Sequence, residues 1–264
     1  VKPLSTLLVE YLSKSETQIK NYLEPLLGVF QKLLSQKSND YHAFTIVLAI
    51  LECFQINEIK KYLPQILKLV CVKLDKDRSA RFISKFSEFY CSFVALVGFD
   101  LAFEATESVQ KGMTAMLLEN VVLANIKSLD GNKQRKNCAL GMTEMVTAER
   151  FVRNFSEEQI IILLKETISI IELPPVFSMK NEEELENLER TGFSAQYSNL
   201  IFAAYKQHDP LSKLGEAKKL LALKLSSLSK KVPNKLGNLI DKSLSENQKK
   251  ILLGYLKESN VSLD

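Results

Sequence analysis

The sequence predicts an all-α protein, an α-solenoid of HEAT-like helical hairpin repeats wound as a right-handed superhelix. Three observations predict this class. Glycine and proline, which punctuate loops and disfavour helix interiors, number only nine and seven in 264 residues. Capping motifs mark several helix starts, and one long segment recurs at the spacing of helix-pair repeats. Strand signals are weak, because no Asn-Gly hairpin and no long alternation of apolar and polar residues occurs.

Three segments, beginning SETQIKNYL, SEEQIIILL and SENQKKILL, open with a capping box. In each box the serine oxygen accepts a hydrogen bond from an unpaired backbone amide, and the glutamine three residues later reaches back to the serine amide. The three boxes are Ser15–Gln18, Ser156–Gln159 and Ser245–Gln248. Apolar residues then recur three and four positions apart, which predicts a helix with one buried face after each box.

A repeat is visible in the first 75 residues. The segment NYLEPLLGVFQKLL begins at Asn21, and KYLPQILKLVCVKL begins at Lys61. Both have Tyr-Leu, then proline, then a long amphipathic helix, and proline indicates a helix start or kink because it disrupts the preceding turn. A period of roughly 40–47 residues made of helix pairs is typical of HEAT and armadillo repeats. One pair cannot bury its apolar face alone, so we expect neighbouring pairs to stack.

Further helix pairs follow along the chain. RSARFISKFSEFYCSFVALVG predicts a first helix capped by Ser79, and the stretch from Asp100 to Leu129 predicts its partner. GNKQRKNCALGMTEMV and EEQIIILLKETISII form the next pair. LPPVFSMKNEEELENLER then interrupts the pattern, so we predict one solenoid over residues 1–264 with an acidic insert at about 174–191. Helical spacing predicts a core-facing phenylalanine stripe at Phe82, Phe86, Phe89 and Phe93.

Composition narrows the function classes. The chain is 46% hydrophobic and 25% charged, the balance of a globular protein. It has no apolar run of about 18 residues and no secretory signal, so we expect no membrane insertion. Because it begins with valine rather than methionine, we expect a fragment of a longer chain. The cysteines lie far apart among apolar neighbours, so we expect buried free thiols in a reducing compartment at Cys53, Cys71, Cys91 and Cys138.

Two charge clusters are candidate partner-binding sites. The acidic cluster interrupts the repeat and consists of Glu182, Glu183, Glu184, Glu186 and Glu189. Such a run is usually a solvated surface, but insertions in repeat proteins tend to collect on the binding face. It would therefore meet either a basic partner or basic helices of its own chain. The second candidate is the NKQRKN loop, where Lys133, Arg135 and Lys136 cluster at a predicted turn.

His208, Asp209 and Pro210 could suggest a metal ligand or a catalytic base. The chain has only two histidines, and no cysteine or second histidine lies near His208. We predict a structural joint instead, in which Asp209 caps a helix and Pro210 occupies its first position. No template of a hydrolase, a phosphate-binding loop, a zinc protease or a dinucleotide-binding turn is present. We therefore expect no enzyme activity, no metal and no cofactor.

The C-terminal lysines raise the alternative of nucleic-acid binding. Between Tyr205 and Asp264 the chain has twelve lysines, no arginine and six acidic residues. The densest part consists of Lys218, Lys219, Lys230, Lys231 and Lys235. A basic stripe neutralises phosphates, but base readout favours arginine and a stacking platform needs interleaved aromatic residues. Solubilising lysines on outer helix faces are the favoured interpretation, and a patch for acidic protein surfaces remains open.

Several blocks carry a resemblance to a known family. They are LLGVFQKLLSQKSND, RFISKFSEFYCSF, MLLENVVLANIKSLDGNKQRKNCALGMTEMV, ERTGFSAQYSNLIFAAYKQHDPL and LGYLKESNVSL. With them the chain resembles the C-terminal part of the importin-alpha re-exporters, the CAS exportins of the importin-beta superfamily. The resemblance implies HEAT repeats that bind importin-alpha together with GTP-bound Ran and shuttle between nucleus and cytoplasm through the nuclear pore, with contact to FG repeats as a further expectation. The resemblance also implies that the chain binds no cofactor itself and that GTP enters the complex only as the nucleotide bound to Ran.

Three functional hypotheses stand at this point. The first is an exportin fragment that binds importin-alpha and contributes to Ran binding. The second is a helical-repeat scaffold for another protein partner, which periodicity alone does not exclude. The third is a basic helical nucleic-acid binder, whose affinity for polyanions would fall steeply with added salt.

Overall fold

The computed structural model describes residues 2–14, 19–37, 39–129, 131–176, 208–232 and 235–263. Within these ranges every regular element is a helix, so the predicted all-α class is confirmed. The chain divides into two compact units, one made of Val1–Leu173 with Pro210–Asp264 and the other of Pro174–Asp209. The second unit begins where the acidic insert is predicted to begin, and the helices below belong to the first.

Fourteen α-helices lie within the described residues. The first seven are Lys2–Lys14 (α1), Leu23–Leu34 (α2), Asp40–Cys53 (α3), Ile56–Ile59 (α4), Leu63–Lys76 (α5), Ala80–Val97 (α6) and Phe99–Val109 (α7). The others are Met113–Leu117 (α8), Asn132–Val146 (α9), Glu149–Asn154 (α10), Glu157–Ile171 (α11), Ala217–Lys231 (α12), Lys235–Ser243 (α13) and Glu246–Glu258 (α14). The 3₁₀ turns are Lys20–Tyr22, Lys60–Tyr62, Ile126–Ser128 and Ser212–Leu214.

The Tyr-Leu-Pro repeat of the sequence is also a repeat of local structure. A 3₁₀ turn at Lys20–Tyr22 runs directly into α2, and one at Lys60–Tyr62 runs directly into α5. Pro64 is the second residue of α5, where its missing amide removes no intrahelical hydrogen bond. The residues before the two turns, Ile19 and Ile59, are both buried. The same sequence pattern therefore builds the same helix start twice, as the periodicity predicts.

The predicted helix caps that lie in described residues are confirmed. Both bonds of the capping box form at Ser156–Gln159 and at Ser245–Gln248, and the Ser79 oxygen accepts from the backbone of α6. The Ser15–Gln18 box lies outside the described residues. A further box at Gln55–Glu58 starts α4, and the sequence analysis missed it because the cap is a glutamine rather than a serine.

The helices of the larger unit pack as two layers. The first layer is a series of neighbouring helices in the order α1, α3, α6, α9 and α12. The second layer consists of α2, α5 and α7, followed by short segments and then α11 and α14. Helices of the two layers also contact each other within a hairpin, as α2 does with α3 and α9 with α11. This stack of hairpins is the arrangement that the repeat predicts, because each hairpin buries its apolar face against its neighbours.

The phenylalanine stripe of α6 lies at the centre of this core. Its four rings are at most 2% exposed, at Phe82, Phe86, Phe89 and Phe93. Phe44 of α3 stacks on Phe89 with ring centroids 4.8 Å apart, so the stripe joins two neighbouring hairpins. The prediction that these residues face the core is confirmed.

Helices α6 and α9 approach each other closely at Gly141. A Cβ atom added at Gly141 would lie 2.2 Å from the carbonyl oxygen of Cys91 and 2.5 Å from its Cα. Glycine is therefore required at this position, because any side chain would have to force the two backbones apart. Around the contact Cys91, Cys138 and Met142 are completely buried.

The second helix predicted from Asp100 to Leu129 is not one helix. After α7 ends, Gln110 is extended and Gly112 adopts a φ of 78°, a left-handed conformation that glycine reaches without strain. The short α8 then continues as a π-helical segment at Leu118–Leu123. The amphipathic pattern predicts which residues are buried, but it does not show this change of helix type.

The prediction of four buried thiols is half right. The four cysteines form no disulfide among the described residues, but only Cys91 and Cys138 are fully buried, whereas Cys53 and Cys71 are partly exposed. Burial raises the pKa of the Cys71 thiol to about 11. A hydrogen bond with Cys91, together with burial, raises the pKa of Cys138. Both thiols therefore remain protonated near neutral pH, which is the unreactive form.

Replacing Gly141 with alanine tests the α6–α9 contact. We expect Gly141→Ala to lower the free energy of unfolding by about 3 kcal/mol, since overpacking costs about 1–3 kcal/mol and here the obstacle is backbone. Urea unfolding followed by circular dichroism would measure it.

The matched control is Gly254→Ala in the interior of α14, where an added Cβ meets nothing within 4 Å. Alanine should stabilise that helix by about 0.5–1 kcal/mol. Equal effects of the two changes would contradict the close contact.

Candidate functional site

The acidic cluster, the first of the two predicted partner-binding sites, lies outside the described residues. Its members are Glu182, Glu183, Glu184, Glu186 and Glu189. The two interpretations of this run, a binding segment and a solvated surface, both remain predictions.

The basic cluster, the second predicted site, is not in a loop. Lys133, Arg135 and Lys136 lie in the first turns of α9, and each is half-buried. The Arg135 Nε atom donates to the carbonyl oxygen of Leu129 at 2.9 Å, and the two lysines have interaction partners as well. The helix start is hard to see in the sequence because Gly131 precedes it and provides no side-chain cap. The structure therefore places these residues at the start of α9 rather than in a loop, and their role in partner binding stays a prediction.

The proposed joint at His208, Asp209 and Pro210 has a different local structure from the one predicted. His208 and Asp209 lie outside any helix, and Pro210 forms part of a turn. The helix that follows is only the 3₁₀ turn Ser212–Leu214, with Leu211 rather than Asp209 at its cap position. The expected cap at Asp209 and first helical position at Pro210 are therefore wrong, because the helical turn starts two residues later. The residues before His208 lie outside the described part of the chain, so the joint itself remains a prediction.

Side chains that could bind a metal ion or act in catalysis are dispersed in the part of the chain that the structure describes. There, no three histidine, cysteine or acidic side chains come close enough together to hold a metal ion. The other histidine, His42, is buried, and its Nδ1 atom lies 2.9 Å from the Ser5 hydroxyl. Among the described residues there is also no helix long and apolar enough to cross a bilayer.

Polar bonds join neighbouring hairpins across residues that lie about one repeat apart in the chain. With the donor named first, they join Tyr62 to Glu24 (2.7 Å), Gln159 to Glu119 (2.6 Å) and Arg150 to Glu104 (2.8 Å). The paired residues lie 38, 40 and 46 positions apart in the chain. These separations agree with the repeat period read from the sequence, so each bond fixes the register of one hairpin on the next.

Two further bonds join residues that precede the insert in the chain to residues that follow it. Lys224 donates to Glu144 at 2.6 Å, and Tyr255 donates to Glu172 at 2.6 Å, over separations of 80 and 83 residues. The segment Pro174–Asp209 contributes 36 of those residues. Subtracting 36 from 80 and 83 leaves 44 and 47, which is again the repeat period. The stack of hairpins therefore keeps its register across the insert.

Some C-terminal lysines take part in these bonds between hairpins and do not form a separate basic stripe. Lys218 lies 2.8 Å from the Glu172 carboxylate and 5.4 Å from the centre of the Tyr255 ring. Hydrogen bonds from Lys218 and Tyr255 hold the pKa of Glu172 below its ordinary value. Burial and the Glu172 carboxylate raise the pKa of Tyr255. The cluster joins the end of α11 to α12 and α14, and the sequence alone could not show it because its members are distant in the chain.

Exposed apolar side chains mark the surfaces that a partner could cover. On α1, Leu4, Leu7 and Tyr11 are 72%, 66% and 51% exposed and share one face of the helix. On α5, Val72 is 46% exposed and borders a groove along α2. The sequence analysis did not identify this groove, because it forms between two equivalent helices that are each amphipathic in the ordinary way.

Comparison with known proteins was made on this basis. The family described as CAS/CSE protein, C-terminus, matches residues 1–255. Exportin-2 of Xenopus laevis is 31% identical over 270 residues, which covers the whole chain and 28% of the relative, and Exportin-2 of Mus musculus is 30% identical over 266 residues, or 27% of the relative. A solved structure, "The exportin Cse1 in its cargo-free, cytoplasmic state", matches 96% of this chain and 26% of that chain with a TM-score of 0.71 at 20% identity.

Stacked hairpins with a constant register define a helical-repeat protein, a class whose members act through their surfaces. The family match then narrows the class. The chain belongs to the CAS/CSE family and corresponds to the C-terminal part of its members. It spans little more than a quarter of the length of the Exportin-2 relatives.

The cluster of Glu172, Lys218 and Tyr255, called the Glu172 cluster below, makes a pH-dependent contribution to stability. We expect Glu172→Gln to lower the free energy of unfolding at pH 7 by about 1 kcal/mol, a modest value because the carboxylate is partly solvated. A carboxyl pKa that is lowered by folding stabilises the fold above the unfolded pKa of about 4.3 and ceases to do so as the pH falls through the folded pKa. The difference in the free energy of unfolding between wild type and variant should therefore become smaller below about pH 4.3.

Urea unfolding at a series of pH values from 7 to 3 would measure this difference. Glu246→Gln is the control, since Glu246 pairs only with Lys249 of its own helix and is highly exposed. A difference for Glu172→Gln that is the same at every pH would contradict the charged cluster.

Proposed function

We propose that this chain forms the C-terminal repeats of a nuclear export receptor that carries importin-alpha from nucleus to cytoplasm in complex with GTP-bound Ran. The observation that carries the proposal is the match to the C-terminal part of the CAS/CSE family over residues 1–255. The Exportin-2 relatives and the helical-repeat fold shared with exportin Cse1 support it. The chain acts by binding and not by catalysis, and GTP reaches the complex only with Ran.

The geometry suits a receptor that changes curvature as it binds and releases partners. Each hairpin contacts mainly its neighbours, so a small rotation at each boundary adds up along the stack. The boundary bonds such as Tyr62–Glu24 are exposed, so water can replace them when the hairpins move. The apolar core between α6 and α9 is closely packed and keeps the hairpins intact during such a motion.

A receptor of this kind works in both compartments. We propose that it shuttles through the nuclear pore, where contact with FG repeats would assist passage, and that it binds neither nucleic acid nor the membrane interior. The pairing of Lys218 with Glu172 and of Lys224 with Glu144 supports the protein-binding role over the nucleic-acid alternative, because these lysines already have carboxylate partners.

The acidic cluster is the proposed contact for basic cargo. The double reversal Glu183→Lys/Glu184→Lys should weaken importin-alpha binding and flatten its dependence on salt, because opposite charges speed encounter and are screened by ions. Surface plasmon resonance at two salt concentrations would measure both effects. The control is Glu157→Lys/Glu158→Lys at the start of α11, which makes the same change of charge in the described part of the chain. If Glu183→Lys/Glu184→Lys changes neither the affinity for importin-alpha nor its dependence on salt, the acidic cluster does not bind the cargo.

A calorimetric titration tests the function as a whole. We expect the chain to bind importin-alpha, and we expect Ran locked in its GTP form to tighten that binding. Tightening by Ran-GTP but not by Ran-GDP would place the coupling within these residues. Binding that is identical with either form of Ran would contradict a Ran contribution from this part of the receptor.

A further inference from the structure

A continuous groove runs along the boundary between α2 and α5. Its two ends have volumes of about 430 and 530 Å³, and a narrower middle part of about 130 Å³ connects them. Gln31 and Leu69 line both the middle and the first of these ends, and Glu24 and Tyr62 line both the middle and the second. The groove therefore extends along the full length of α2, which is about 18 Å for 12 residues at 1.5 Å each.

The groove is open because α2 and α5 are in looser contact than the helices behind them. On the first layer, α3 and α6 pack closely through Phe44 and Phe89. On the second layer, α2 and α5 are in contact at few positions, and the Tyr62 hydroxyl, just before α5, donates to Glu24 of α2. Leu27 and Leu69, which are half-buried, line an apolar floor together with the buried Leu34.

The end of the groove near the C-termini of α2 and α5 combines an apolar floor with a basic rim. Leu34, Leu69 and Val72 provide the floor, and Val72 is nearly half exposed. The charged residues that line this end are Lys37, Lys73, Lys76 and Asp77. Three lysines face one aspartate, so this end of the groove has a positive charge.

Local pairing cancels only part of this charge. The Lys73 Nζ atom lies 3.9 Å from both Asp40 and Asp77 and is largely buried, so its charge is already paired within the chain. Asp40 is already bound by Arg81, and Asp77 accepts a hydrogen bond from the backbone of Ser79. Lys37 and Lys76 are exposed at the rim, where an approaching carboxylate can reach them.

We propose that this groove docks an amphipathic helix of a protein partner, with apolar residues on its inner face and aspartate or glutamate beside them. A helix of about three turns matches the length of the groove, and helix-in-groove binding requires such an apolar floor. The carboxylates complement Lys37 and Lys76, the exposed lysines of the rim. A nucleic acid fits less well, because the lining has no arginine, and of its two aromatic rings, Phe30 and Tyr62, the first is buried and not available for stacking. The inference deepens the proposed transport function by identifying one surface and the class of segment that it binds.

Two labelled peptides of about 16 residues test the proposal. Both have leucine at helical a and d positions, one has glutamate at the flanking positions, and the other has lysine there. Fluorescence anisotropy should show that the 264-residue chain binds the glutamate peptide at least about tenfold more tightly than the lysine peptide. Methyl NMR signals of Leu27, Leu69 and Val72 should shift with the glutamate peptide.

Variants locate the binding on the groove. Lys37→Glu/Lys76→Glu and, separately, Val72→Glu should each weaken the glutamate peptide by about tenfold or more. The matched control Lys219→Glu/Lys250→Glu makes the same change of charge on exposed positions of α12 and α14 and should leave affinity within about twofold. Melting temperatures of all variants would show whether a loss of binding reflects a loss of fold.

Three results would overturn the proposal: equal binding of the two peptides, equal weakening by the control, or displacement of the glutamate peptide by single-stranded RNA at equal concentration. A titration of the same wild-type chain with importin-alpha and Ran-GTP separates this test from the test of function. If importin-alpha binds and the glutamate peptide does not, the groove assignment fails and the transport function stands. If the peptide binds and importin-alpha does not, the groove assignment stands and the proposed cargo is wrong.

Discussion

The close approach of α6 and α9 at Cys91 and Gly141 is the contact on which the rest of the structure depends. It joins two hairpins at the middle of the stack with no side chain between their backbones. On one side of it the phenylalanine stripe of α6 reaches α3, and on the other side α9 packs on both α11 and α12. Because a single hairpin cannot bury its apolar face, a loss of this contact would leave two half-stacks, each with an exposed apolar end.

Polar bonds and apolar packing have separate roles in this protein. The apolar faces hold neighbouring hairpins together, and bonds such as Tyr62–Glu24 and Tyr255–Glu172 set which residues face each other. The register stays constant although the 36 residues of Pro174–Asp209 lie between two of the hairpins. Surface segments can therefore differ among such proteins without any change in the core.

Local features of the fold could be predicted from the sequence, and non-local ones could not. The boxes at Ser156 and Ser245 and the Tyr-Leu-Pro repeat involve residues within one or two turns, so their patterns are visible in the chain. The basic residues at the start of α9 were assigned to a turn because Gly131 leaves no capping signal. The Glu172 cluster and the α2–α5 groove depend on residues brought together only by stacking. For the α2–α5 groove, the sequence shows the lysines and the apolar residues, but it does not show which lysines are already paired with carboxylates of this chain.

Native-state hydrogen exchange measured by mass spectrometry tests the central claim most directly, namely that stability arises from stacking around α6 and α9. Amide protection should be greatest in peptides from α6 and α9, which have neighbours on both sides, and least in α1, whose outer face is exposed. Intermediate helices such as α3 and α12 should fall between these limits. Equal protection of α1 and α6, or greatest protection at the ends of the stack, would contradict the account.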